Sequence, residues 1–333
     1  MPRKAPLRAD VYFAQRRVAP RSSLPMKFGS LLDACGLANL IQRGDRVAVK
    51  LHFGEPGNTT TTPPALIRTL VTKLLDLQAR PFIVDTCART SPTRQDAIGC
   101  LRAASEHGYL EANLGAPVLV GDGFLGSDMV RLPCVGPHLH EVGVAAAIAR
   151  ADALIVVNHV TLHPETGLGG VLPATGLGCL ARQSRLTLDL PTAGLEPSEE
   201  ALDPRWRQEH RIPAIQLHDR IAEAAQAILQ HHSGKTLFVN MLLQVTPDPD
   251  GVPWSDTAII PDVGILLSRD PVGVDQATAE FINAQAGAPD TRLQDPLVRD
   301  KIRALTPDVD WQHLLRSAER LGCGKRQYEL LIT

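Results

Sequence analysis

None of the six cysteines in this 333-residue sequence, Cys35, Cys87, Cys100, Cys134, Cys179 and Cys323, stands in C-x-x-C spacing with another. That absence excludes a sequence-encoded ferredoxin cluster or zinc ribbon, and each thiol reads as a small buried hydrophobe. No apolar run approaches the roughly 20 residues of a membrane span. The basic start, Arg3, Lys4 and Arg8, leads into Asp10 and a short strand instead of a signal-peptide core, so the expectation is a cytoplasmic protein with no membrane partner. Charge of one sign is missing too: 34 basic against 36 acidic residues leave a net charge of -2, too little for a whole-protein field that would recruit nucleic acid. There is no internal repeat and no low-complexity tract.

What is present is an alternation. Short, unbroken apolar runs at 10–14, 46–52, 81–85, 117–120, 153–158, 235–241 and 263–267 read as strands. Apolar residues at helical spacing mark 63–77, 94–107, 139–150, 215–229, 271–286 and 311–321. Strands of this kind between amphipathic helices predict an α/β fold, a mostly parallel sheet with helices on both faces. The whole chain, 1–333, reads as one such unit, with a two-lobed arrangement left open. The stretch 187–213, rich in Pro, Glu and Arg, is expected as an irregular loop.

In an open parallel sheet ligands bind beyond the carboxyl ends of strands, so polar clusters directly after predicted strands carry the functional signal. One is Leu51-His52-Phe53-Gly54-Glu55-Pro56-Gly57-Asn58 with Thr59 to Thr62. Its threonines and prolines are also the grammar of a helix start, whereas His52 and Glu55 are proton-transfer groups that capping does not explain. A second follows 153–158: Asn158, His159, His163, Glu165, Thr166 and the glycines Gly167, Gly169 and Gly170. Glycines ahead of a helix allow backbone N–H groups to cradle an anion, or simply allow close packing. His159 and His163 have metal spacing only on a helix, and Pro164 favours a loop. A third cluster holds Asn240, then Asp248-Pro249-Asp250-Gly251, Asp256 and Asp262. The D-x-D-G pattern lacks the distal glutamate of a calcium loop and reads as turn chemistry.

The segment from Lys50 to Thr59 resembles the opening motif of the family known as domain of unknown function 362. The likeness continues through Val84-Asp85-Thr86, Gly115-Ala116-Pro117-Val118, Asp122-Gly123 and His163 to Gly170. It resumes at Val239-Asn240, Pro247-Asp248, Ser255-Asp256, Pro261 to Leu266 and Asp270 to Gln276, and closes with Gly322-Cys323-Gly324 and Tyr328-Glu329-Leu330. Many members are described as iron–sulfur center proteins, so the resemblance implies a redox association. The departures argue the other way. Where relatives carry an embedded ferredoxin module this chain has only Pro191 to Pro213. Where they read Lys-Gly-His it has Thr161-Leu162-His163, and after the glycine turn Val171-Leu172-Pro173-Ala174 stands in place of Ala-Leu-Lys-Asn. An Asp-Cys-Asp-Cys segment has become Asp248-Pro249-Asp250-Gly251.

The sequence therefore points to a small-molecule enzyme acting on an anionic or carbonyl-containing metabolite by acid–base chemistry, with His52, Glu55 and His163 catalytic. Asn58, Thr59, Asn158, His159, Glu165, Thr166, Gly167, Gly169, Gly170, Asn240, Asp248, Asp256 and Asp262 are the expected substrate contacts. No iron–sulfur cluster, other cofactor or nucleic acid is expected. A hard divalent cation on the carboxylates and a homo-oligomer are left open. The alternatives are a redox-associated protein with an external electron donor or bound metal, and a non-catalytic ligand-binding relative.

Overall fold

The computed structural model describes residues 8–191 and 203–332. Its strands in chain order are β1 (Ala9–Gln15), β2 (Arg46–Lys50), β3 (Arg80–Asp85), β4 (Val118–Val120), β5 (Met129–Pro133), β6 (Glu141–Ala145), β7 (Ala153–His159), β8 (Thr161–His163), β9 (Gly167–Gly169), β10 (Thr236–Leu242), β11 (Gly264–Ser268) and β12 (Tyr328–Ile332). Eight of them form one sheet in the order β12-β1-β11-β10-β7-β2-β3-β4. Within it β11 alone runs antiparallel to both its neighbours, and every other pairing is parallel. The fold is α/β with a mostly parallel sheet, as the alternation of apolar runs and amphipathic helices implies.

The central strands are apolar throughout because both faces are covered. Val47 and Val49 of β2, and Ala153, Ile155 and Val157 of β7, enter one core with the helices Leu24–Ala34 and Pro64–Asp76. The residues between them, Ala48, Leu154 and Val156, enter the opposite core with the helices Ala214–His231, Pro271–Ala284 and Trp311–Arg320. Successive side chains of a strand point to opposite faces, so a run without polar breaks is what a doubly covered strand requires.

Chain direction places the site. From β2 the chain crosses over through the helix Pro64–Asp76 to β3 on one side; from β7 it crosses through Ala214–His231 to β10 on the other. Right-handed crossovers in opposite directions leave their helices on opposite faces, and the crevice between β2 and β7 becomes the topological switch point.

Several local expectations are revised. The segment 139–150, expected as a helix, is β6 followed by a single turn, Ala146–Ala149, and β6 pairs with β5 outside the main sheet. The stretch 187–213 is not wholly irregular, since the helix Arg182–Leu188 runs into it and Pro204–Glu209 is helical; its residues 192–202 lie outside the described residues. No threonine caps the helix at Pro64, whose N-cap is Pro63 without a side-chain bond. Asp270 does cap its helix, accepting from the Gly273 N–H at 2.8 Å.

Candidate functional site

At the switch point a cavity of about 260 Å³ opens beyond the carboxyl ends of β2, β3 and β7. That is slightly below the range of about 300–1,000 Å³ for drug-sized ligands and fits a small metabolite. Its walls come from the end of β2 and the loop after it (Lys50, His52), from the end of β3 and the loop after it (Asp85, Thr86, Arg89, Ser91, Arg94), and from the end of β7, β8 and the turn after β8 (Asn158, His159, His163, Glu165). Arg185 and Asp250 come from elsewhere in the chain.

The polar floor is built from buried ion pairs. Asp85 closes β3 and meets Lys50 Nζ at 3.0 Å and Arg94 Nη1 at 3.5 Å, while accepting the N–H groups of Phe53 and Thr86 at 2.9 and 2.8 Å. Burial alone would raise its pKa, but Lys50 foremost among the neighbouring charges, with the Phe53 bond, holds it well below the ordinary carboxylate range. Arg94 Nε also holds Glu55 at 2.8 Å, and Ser91 Oγ donates to the other oxygen of that carboxylate at 2.6 Å. Arg89 bonds Glu165 at 2.6 Å and approaches Asp189 at 3.4 Å. Burial opposes the charged form of Glu165, yet Arg89 brings it down to about 2. Asp85 and Glu165 are therefore not ready proton acceptors at neutral pH, because each is committed to a cation.

The two histidines share one arrangement. Gly54 N–H donates to His52 Nδ1 at 3.0 Å, and Glu165 N–H donates to His163 Nδ1 at 3.1 Å. A backbone N–H can only donate, so each Nδ1 must be the acceptor, and in the neutral ring the proton sits on Nε2. Arg94 Nη2 lies 3.4 Å from His52 Nε2, but both contacts cannot be hydrogen bonds to a neutral ring, and the shorter one fixes the tautomer. Burial, then Arg94, lowers His52 to about 4. Burial lowers His163 as well. At neutral pH both are uncharged Nε2–H donors and not free bases, the sense in which their expected acid–base role is narrowed.

His159 behaves differently from either. Its Nδ1 meets Asp250 at 2.8 Å and its Nε2 meets the carbonyls of Leu243 and Gln244 at 2.8 and 3.2 Å, so acceptors surround both nitrogens. Burial resists the charge, but Asp250 and the carbonyls raise its pKa. The buried imidazolium ties the 243–250 loop to β7, and no nitrogen is left for a ligand.

The glycine turn is a donor cradle, though its occupant is internal. Val171 and Leu172 N–H each bond the Asp275 carboxylate at 2.9 Å, and Asn240 Nδ2 adds a third bond at 2.7 Å. Asp275 is fully buried, and burial raises it to about 6. A Cβ on Gly170 would overlap that carboxylate, one on Gly169 would come within 2.7 Å of Thr161 Oγ1, and Gly167 sits at φ +75° with Trp311 2.6 Å from its absent Cβ. These glycines allow close packing, so the expectation that the helix start presents its N–H groups to an outside anion is corrected.

Of the expected contacts, His52, Asn158, His159, His163, Glu165, Gly169 and Gly170 line the cavity. Glu55 stands behind Arg94. Asn58 and Thr59 are held by the 254–255 segment instead, through Trp254 O at 3.3 Å and Ser255 Oγ at 2.9 Å. Thr166 bonds the Leu168 carbonyl, and Asn240 is buried against Asp275 and Thr278. Asp248 and Asp256 are clamped by Arg292 at 2.6 and 2.7 Å, and Asp262 meets Arg16 and the Gln244 N–H. None of those three acids lines the cavity; Asp250 is the carboxylate its loop contributes. Sequence reasoning missed Lys50, Arg89, Ser91, Arg94 and Arg185. The strand-end rule applied to Thr86–Arg94 would have found three of them. Among the described residues no group of three or more His, Cys, Asp or Glu side chains is disposed to hold a metal ion.

A switch-point cleft of this construction defines a doubly covered α/β protein with a cation-rich pocket of metabolite size. The family model for the domain of unknown function DUF362 matches residues 47–280, and the chain belongs to that family. No curated protein matches it. It is similar to the crystal structure of a protein from Thermotoga maritima, at 13% identity and TM-score 0.45, over 77% of this chain and 57% of that one. It is also similar to the lactate racemase apoprotein from Thermoanaerobacterium thermosaccharolyticum, at 13% identity and TM-score 0.39, over 70% of this chain and 50% of that one. The chain thus spans about half the length of these structures. Among the described residues no helix is long and apolar enough to cross a membrane.

Proposed function

We propose that the protein is a cytoplasmic enzyme that binds an anionic or carbonyl-containing metabolite in the switch-point cavity and acts on it by acid–base chemistry. The observation that carries this reading is the pair of neutral histidines, each with Nδ1 taken by a backbone N–H, in a pocket whose other strong donors are lysine and arginine. A neutral Nε2–H polarises a carbonyl or stabilises a developing oxyanion without carrying charge of its own. His52 and His163 are the donors; Glu55 acts through Arg94 as a positioning residue. The reading runs without an iron–sulfur cluster, since Pro249 and Gly251 stand where relatives have cysteines.

The test is open to any substrate. Wild type and a His52→Asn/His163→Gln double variant are incubated with a cell metabolite extract in deuterated water, and masses are compared. At least one small anionic or carbonyl compound is expected to be consumed with wild type alone. If wild type alters nothing that the double variant leaves unaltered, the catalytic reading falls and a binding role replaces it.

A further inference from the structure

Four cations line the cavity, and three already have counter-ions. Lys50 has Asp85, Arg94 has Glu55 and Asp85, and Arg89 has Glu165 and Asp189. Arg185 has none in contact: among the described residues no carboxylate lies within ion-pair distance of it, and Asp122 and Asp85 act on its charge only from further off. Its Nη2 donates to Thr86 Oγ1 at 2.9 Å and to the Cys87 carbonyl, neutral acceptors that fix the guanidinium in place, and its Nε is buried without a partner. The side chain is only partly exposed, and a cation partly withdrawn from water with no ion pair is stabilised by an anion brought to it.

The surroundings of Arg185 define the anion further. Thr86 Oγ1 also donates to the Gly178 carbonyl at 3.2 Å, which sets Arg185 beside the segment carrying Pro173, Ala174 and Leu177. With Val156 these side chains form an apolar stretch of the cavity wall. Elsewhere in the cavity Asp85, Glu165 and Asp250 are each paired with a cation, so the lining offers no second unpaired lysine or arginine to a second negative charge.

We infer that the cavity recognises a small organic monocarboxylate, with Arg185 binding the carboxylate and the wall of Val156, Pro173, Ala174 and Leu177 receiving its carbon skeleton. With both Nη2 hydrogens given to Thr86 and Cys87, the carboxylate takes the remaining guanidinium N–H groups, and one negative charge answers the one arginine without an ion pair. This inference rests on the small-molecule reading of the same site and names its substrate class.

Titration calorimetry on the full chain at fixed ionic strength decides it, with acetate, propionate and butyrate as probes against succinate, inorganic phosphate and propionamide. At least one monocarboxylate is expected to bind, with the dianions and the amide at least about tenfold weaker, or about 1.4 kcal/mol. Arg185→Gln should weaken monocarboxylate binding at least about tenfold, and Arg185→Lys should keep the order of preference at lower affinity. Binding of succinate or phosphate as tight as the best monocarboxylate, no monocarboxylate binding at all, or unchanged affinity in a folded Arg185→Gln protein overturns the inference. The wild-type order decides even if the glutamine variant does not fold. Monocarboxylate binding without metabolite turnover keeps this inference and removes the catalytic reading; turnover of a neutral or dianionic compound does the reverse.

Discussion

Acidification should destabilise the fold through His52, and His52→Asn should remove that share of the sensitivity. As pH falls, the unfolded chain takes up a proton near the ordinary 6.5, while burial and Arg94 delay the folded ring to about 4. The stability tied to this group is complete above 6.5, is lost between 6.5 and 4, and changes no further below 4. That separation corresponds to roughly 3 kcal/mol in all, most of it gone by about pH 4.5. Asn suits the test because its Oδ1 can take the place of Nδ1 and accept the Gly54 N–H, while the titrating ring disappears. Wild type alone is not diagnostic, because Asp275, raised to about 6 by burial, works in the opposite sense and favours the folded state as pH falls from 6 towards 3.8. Comparing variant and wild type at each pH cancels that contribution. Urea unfolding at about pH 7 and about pH 4.5 should show wild type losing roughly 2–3 kcal/mol more than His52→Asn. Equal losses, or a His52 ring seen by NMR to titrate near 6.5, would refute both the burial argument and the tautomer assigned to the site.

Gly170→Ala forces a methyl into the Asp275 carboxylate and should cost about 1–3 kcal/mol in chemical denaturation; a variant as stable as wild type would show that the clamp yields freely. Asp250→Asn removes the counter-charge of the His159 imidazolium. Because His159 is raised, its contribution is complete below 6.5 and declines as pH climbs through the folded value, so the stability gap between wild type and variant should shrink with rising pH. A gap that widens instead would mean that His159 is neutral.

The main sheet is readable in the sequence because its inner strands are covered on both faces and so appear as unbroken apolar runs. The exception is β12, an edge strand whose residues from Tyr328 to Ile332 are all at least partly exposed, which leaves no such run. The segment 139–150 misled for the opposite reason. Val142, Val144, Ala146 and Ile148 satisfy a two-residue period, but the surrounding alanines also satisfy the helical spacing on which the helix was expected. At the site, His52 and His163 were legible because strand-end position and residue type agree. Arg94 was not: the helix expected from 94 begins at Ala97, which leaves Arg94 in the β3 loop beside Ser91. Arg185 follows no sheet strand directly, and only the packing of its helix against Thr86 and Cys87 brings it to the cavity.

The glycine turn shows where sequence reasoning meets its physical limit. Three glycines before a helix do make a set of backbone donors that calls for a negative charge, and that much is local chemistry. Which charge answers is decided by residues about a hundred positions away, and here Asp275 reaches the donors first, with Asn240 completing its coordination. The same rule, applied to side chains, orders the cavity. Each donor that a carboxylate of the chain can reach is already neutralised, as Lys50, Arg89 and Arg94 are. A ligand gains little by competing with those pairs, because separating a buried ion pair leaves a charge without a partner. On the proposed reading it gains most at Arg185, which the fold holds in place with no acid at ion-pair distance, so affinity should concentrate there, and the neutral Nε2–H groups of His52 and His163 would face the rest of the bound molecule.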